Sequence, residues 1–162
     1  MEIKRDNVKA TDSILADLIV CCHSETDIIA LVNVIFAISN PENKSQSGGY
    51  YEKFEQNVLT ALIALLNLHG EELELAYSID TLISLMDDAG AKNLRNSKIE
   101  DYYKNLIKHK EYDLFTQCYG KFENGVSETS VLPVFLSCIM RLQSAREWFA
   151  IKAKEHNKLR ES

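Results

Sequence analysis

Ile28-Ile29-Ala30-Leu31-Val32-Asn33-Val34-Ile35-Phe36-Ala37-Ile38 and Val58-Leu59-Thr60-Ala61-Leu62-Ile63-Ala64-Leu65-Leu66-Asn67-Leu68 are the two longest apolar stretches of the chain. Each is 11 residues long and carries an Asn, whereas a membrane-spanning helix needs about 20 apolar residues. Neither alternates with period two, and helical spacing of apolar residues recurs on both sides of them. Ser24-Glu25-Thr26-Asp27 precedes the first, a serine with an acid three positions later, which is the signature of a helix N-terminus. The stretch from Ser24 to Ser39 therefore predicts a helix that is apolar on nearly all sides, the kind that belongs at the centre of a bundle.

Working outward, Asp12 to Cys22 predicts a preceding helix with Ile14, Leu15, Leu18 and Ile19 on its buried face. The run Asn40 to Gly49 is entirely polar, Gly or Pro and predicts a loop. A helix from Tyr50 to His69 follows, with Gly70 as its stop. Ala76 to Asp88 predicts another, placing Ile79, Leu82, Ile83 and Met86 in the core and Gly90 just past the end. Ser97 caps a helix reaching His109, and Glu111 to Phe122 forms one that stops before Asn124-Gly125. The last and longest begins at Ser127 or Ser130. Pro133 then falls in the first turn, where a missing N–H is no loss. Its expected core face is Leu132, Phe135, Leu136, Ile139 and Leu142. The reading is all-α, one compact bundle of six to seven helices, divided as a flexible segment 1–10, a helical domain 11–145 and a basic extension 146–162.

Composition agrees. The chain has 162 residues, 46% of them apolar, enough for one ordinary core. Six Gly and two Pro are too few for the many tight turns of a β-sandwich or barrel. Eighteen Lys and Arg against 24 Asp and Glu give a net charge of −6, which works against a general nucleic-acid-coating role. Cys21, Cys22, Cys118 and Cys138 form no disulfide framework, and three of them lie in apolar stretches, which predicts reduced thiols in a cytoplasmic setting. The polar start, Met1 to Lys9, does not read as a signal peptide.

Catalytic signatures are missing. The nearest approach to a phosphate loop is Gly120-Lys121, but Phe115 stands where the first glycine belongs. None of His23, His69, His109 and His156 follows a Glu by three, so neither HExxH nor the ExxH of di-iron bundles occurs. Cys21-Cys22-His23 are adjacent on a helix, about 100° apart, and do not converge on one metal. Ser127, Ser130 and Ser137 have no His and acid placed to activate them. On residues alone the chain is a non-enzymatic recognition domain with no cofactor.

Three segments resemble one family. Ser24 to Asn33 is similar to the acidic-capped helix of the TraG/TraD-like coupling proteins of conjugation and type IV secretion. Gly49-Tyr50-Tyr51-Glu52-Lys53-Phe54-Glu55-Gln56-Asn57-Val58-Leu59-Thr60-Ala61-Leu62 resembles their aromatic-pair, Glu-Lys and leucine-rich helix. Ser130 through Ser137 to Arg141-Leu142 is similar to their closing helix. Glu52, Glu55, Ser137 and Arg141 fall on matching positions. The chain departs from the pattern at Ile14-Leu15-Ala16-Asp17, at Gly48-Gly49 and after Leu142.

Such proteins are membrane-anchored hexameric ATPases, with an all-α domain inserted at the cytoplasmic mouth of the ring. The resemblance covers that insert alone. It implies a cytoplasmic domain that docks a relaxase, an effector or a secretion chaperone. ATP and Mg would belong to the parent protein, not to this chain. It implies a monomer in isolation and a homo-hexameric parent.

Three surface features carry the partner-binding candidates. Tyr50, Tyr51 and Glu52 open a helix after a loop and suit a protein-binding patch, or pack down as the first core layer. The acidic run Glu71, Glu72 and Glu74, with Asp87-Asp88 and Glu100-Asp101, suits basic partners, or merely solvates the surface. Arg141 to the C-terminus holds six basic and three acidic residues. Arg146, Lys152, Lys154 and Lys158 would there contact DNA, the alternative reading, or simply end a helix. A third reading is an unrelated cytosolic helical adaptor.

Overall fold

The computed structural model describes the backbone of residues 11–40 and 46–161, and the side chains of 11–40 and 51–160. The expected segment 1–10 and most of the Asn-Pro loop lie outside them. All regular elements described are helices: α1 (Ile14–Val20), α2 (Glu25–Ser39), α3 (Gln46–His69), α4 (Ile79–Ala91), α5 (Lys98–Lys108), α6 (Leu114–Gly125) and α7 (Val131–Glu161), with a 3-10 turn Glu128–Ser130 before α7. No single one of them is long and apolar enough to cross a membrane.

Helix starts follow local chemistry. Ser13, Ser24, Ser78 and Ser97 each accept a hydrogen bond from the backbone N–H three residues on, satisfying a donor the first turn leaves orphaned. At α2 the acid does not complete a capping box on Ser24. Asp27 instead accepts from the N–H of His23, at 2.9 Å. Pro133 sits in the third position of α7, where its lack of an N–H costs nothing.

Several boundaries differ from expectation. Helix α3 begins at Gln46, so the loop is shorter than Asn40 to Gly49 and Gly48-Gly49 is helical. Helix α4 runs through Gly90 and ends on left-handed residues, Asn93 at φ 49° and Leu94 at φ 71°. Helix α6 starts at Leu114 rather than Glu111 because Asp113 and Thr116 form a reciprocal capping box there, and it runs through Asn124-Gly125. Gly70 does end α3, by close approach. A Cβ there would stand 2.3 Å from the Leu66 carbonyl oxygen.

The central helix is α3, not α2. Val58, Leu59 and the whole run Ala61 to Leu66 are buried, and α1, α2, α4, α6 and α7 all pack against α3. Helix α2 buries Ile28, Leu31, Val32, Ile35 and Phe36 but exposes Ile29 at 45% and Val34 at 44%. Its apolar character all round is greater than its burial.

Two other faces shift in the same way. Helix α1 buries Leu15, Ala16 and Ile19, leaving Ile14 and Leu18 exposed. Helix α7 faces the core with Val131, Val134, Phe135, Cys138, Leu142 and Ala145, leaving Leu132, which lies against Gly90 of α4, and Leu136 about half exposed. An aromatic chain ties the second half together. Tyr103 of α5 meets Phe115 and Tyr119 of α6, and Phe122 meets Phe135 of α7, with ring centroids 4.9–6.4 Å apart.

Candidate functional site

Two charged clusters are built into the bundle. In its middle, Arg141 of α7 donates from Nε to Glu55 of α3 at 2.6 Å, and both side chains are almost fully buried. A second donor reaches Ser39 Oγ at 3.2 Å, and the guanidinium lies 4.1 Å over the Phe36 ring of α2. Cys138, a turn before Arg141, is buried beside this pair, and desolvation holds its thiol well above the ordinary range. One arginine thus clips three helices together.

The second cluster closes the far end of α3. His69, buried, has Nδ1 2.7 Å from Glu72 and Nε2 2.6 Å from Asp113, the N-cap of α6. Carboxylates only accept, so both ring nitrogens carry hydrogen and His69 is an imidazolium. The bond to Asp113 is the main reason its pKa is raised to about 9. Burial opposes the shift and Glu72 supports it. Burial in turn works to raise Asp113, but hydrogen bonds from His69 and the Thr116 N–H outweigh it and hold that carboxyl below its usual range.

Beside His69 opens a cavity of about 230 Å³. Glu72 and Leu73 form one wall, Tyr102, Asn105 and Leu106 of α5 another, and His109 and Glu111 of the α5–α6 turn its rim. A second, of about 400 Å³, lies at the loop before α5, where Glu100 and Lys104 of α5 face Glu123 of α6. There Glu100 accepts from the buried Tyr119 hydroxyl at 2.5 Å. Burial, and a hydrogen bond shared with Glu100, raise the Glu123 carboxyl to about 7. Among the described residues no group of three His, Cys, Asp or Glu is arranged to hold a metal ion.

Comparison with family models, with curated proteins and with solved structures finds no match for this chain.

The residues singled out in the sequence do not form one patch. Tyr51 and Glu52 are half-buried near the start of α3, with Tyr51 packed on the core, and the Tyr50 side chain lies outside the described residues. Glu71, Glu72 and Glu74 are exposed just past the other end of the same helix, about 30 Å away at 1.5 Å per residue. Arg146 pairs with Asp80 at the start of α4, at 3.1 Å. Lys152 lies 5.6 Å over the Trp148 ring and 3.4 Å from Glu155. Lys154 and Lys158 are exposed on the last turns of α7.

His69, Asp113 and Glu123 were not anticipated, and Glu100, expected on the acidic surface, is buried against Tyr119. A local signal existed for the first pair. Glu72 follows His69 by three, and Asp113-x-x-Thr116 is a cap pattern. Nothing local links residue 69 to residue 113.

Proposed function

We propose that the chain is a helical docking domain of the coupling-protein type, which receives a relaxase, an effector or a secretion chaperone and performs no chemistry of its own. One observation carries the reading. Glu55 and Arg141, from the second and third segments of the resemblance, meet in a single buried pair at 2.6 Å. Two residues matched for sequence reasons alone are thereby partners in space. The pattern has a physical content, a polar clip that fixes how α2, α3 and α7 pack. The acidic turn Glu71, Glu72 and Glu74 supplies an exposed face for a basic segment of the partner.

The test is an affinity pull-down with the tagged chain from the cytosol of its source at physiological salt, with and without nuclease. The expected result is recovery of an identified relaxase, effector or secretion chaperone despite nuclease. Recovery that vanishes with nuclease would favour direct DNA contact instead. That contact should fall steeply with salt and weaken on charge reversal of Arg146, Lys152, Lys154 and Lys158. Capture of none of these partners in either arm overturns the reading.

A further inference from the structure

We propose that the cavity between the end of α3 and the α5–α6 turn is a guanidinium site, taking an arginine either as a protein side chain or as a small free guanidine. The argument begins with what the cavity cannot take. Its one buried cation, His69, already donates both ring N–H groups, to Glu72 at 2.7 Å and Asp113 at 2.6 Å. No imidazolium donor remains for an anion.

What remains is rich in acceptors. Glu72 and Glu111 both line the cavity, Glu72 with one carboxylate oxygen taken by His69. His109 donates from Nδ1 to the Asn105 carbonyl at 2.8 Å, since a carbonyl can only accept, so that N–H is not free to repel a cation. Asn105 adds an amide oxygen and Tyr102 a phenol and an aromatic ring. Counting His69 as positive and Glu72, Glu111 and Asp113 as negative, the local charge is −2. Lys108 and Lys110 neighbour the cavity in sequence, but neither side chain lines it.

A guanidinium matches this inventory better than an ammonium. It offers five donors and no acceptor in a rigid fork, suited to carboxylates on two walls, and its plane stacks on aromatic rings. Its three-methylene stem would lie along Leu73 and Leu106, the apolar part of the lining. The site is distinct from the Arg141–Glu55 clip; it shares Glu72 with the acidic turn of the docking reading but does not rest on that reading.

The experiment uses the whole chain, labelled with nitrogen-15, and three capped tripeptides Gly-Xaa-Gly with Xaa arginine, lysine or citrulline, alongside N-acetyl-arginine amide. Citrulline keeps the shape of arginine without its charge. Saturable amide shifts at Leu73, Tyr102, Leu106 and His109 are expected with arginine, weaker with lysine and at least tenfold weaker with citrulline. Glu111→Gln should weaken arginine binding about tenfold while leaving the His69 contacts intact. The tripeptide binding more tightly than the amide assigns the source to a protein side chain, and equal binding assigns it to a small guanidine. Equal response to arginine and citrulline overturns the proposal, as do shifts scattered over the acidic surface or an undiminished affinity in Glu111→Gln. A Glu111→Gln chain that loses the arginine peptide but still captures a secretion partner leaves the docking proposal standing, so the two fail separately.

Discussion

The Arg141–Glu55 pair and the His69 cluster are both charge clusters that join helices distant in sequence, yet they answer to different variables. Arg141 is buried in the middle of the bundle, where its pairing with Glu55 and its place among three helices fix it. His69 is held between a partly buried and an exposed carboxylate at the bundle's end, beside an open cavity, and its charge is lost within an accessible range. The first sets which helices pack together. The second makes one junction, α3 to α6, conditional on pH.

The largest expected effect breaks the first cluster. Arg141→Met leaves the Glu55 carboxylate buried without its partner, and should cost about 3–5 kcal/mol in urea unfolding. Arg141→Met with Glu55→Leu removes both charges and should recover most of that loss, because well-packed apolar replacements for a buried pair are often neutral or stabilising. If the double variant is no better than the single one, the cation–π contact with Phe36 and the bond to Ser39 matter more than the pair.

The second cluster should show itself in pH dependence. The folded pKa of His69, about 9, is above its ordinary 6.5, so the folded state holds the proton more tightly. Its contribution is therefore full below pH 6.5 and is lost as pH rises through 9, amounting to roughly 2–3 kcal/mol. Unfolding free energies across pH 6 to 10 test this, with His69→Gln as the reference lacking that slope. A wild-type slope equal to that of His69→Gln would show the imidazolium bridge to be absent in solution.

A third cluster sharpens the contrast at lower pH. Glu123, raised to about 7 by burial and by the bond with Glu100, also binds its proton more tightly when folded. Its contribution is full below its ordinary 4.5 and lost as pH rises through 7, of order 1–2 kcal/mol once its partial exposure is allowed for. Glu123→Gln keeps the hydrogen bond without a titrating proton and should remove this step while leaving the one near pH 9.

How much of this was legible depends on whether the signal was local. Helix existence was, because caps such as Ser24, Ser78 and Ser97 and the 3.6-residue periodicity are written within a few residues. Which helix is central was not. The α2 segment Ile28 to Ile38 and the α3 segment Val58 to Leu68 read alike, and only the packing of five helices around α3 distinguishes them. The face of α7 was read correctly at Phe135, Ile139 and Leu142 but not at Leu132 and Leu136, for a related reason. Leu132 and Leu136 are as apolar as Val131 and Cys138, and burial was decided by where α2, α3 and α4 lie. Site residues divide in the same way. The exposed Glu71, Glu72 and Glu74 were visible as a charge run, but the cavity needs His69, Tyr102 and Glu111, and their convergence is tertiary.

The smallest expected effect on stability is also the most informative about the cavity. Glu111 is an exposed rim carboxylate, so Glu111→Gln should change stability by no more than about 0.5 kcal/mol. Glu72→Gln removes a carboxylate that His69 donates to, although that side chain is 64% exposed, and should cost little more. The two separate in the titration of His69 followed by its ring proton shifts. Glu72→Gln should bring the pKa down from about 9, because a neutral amide replaces one of the two supporting carboxylates, while the stronger bond, to Asp113, keeps it above 6.5. Glu111→Gln should leave it near 9, since Glu111 supplies none of those bonds. An equal fall in both variants would mean that His69 senses the acidity of the cavity as a whole rather than its two hydrogen bonds. The cavity and the bridge would then be one electrostatic unit, and an arginine bound there would itself lower the pKa of His69.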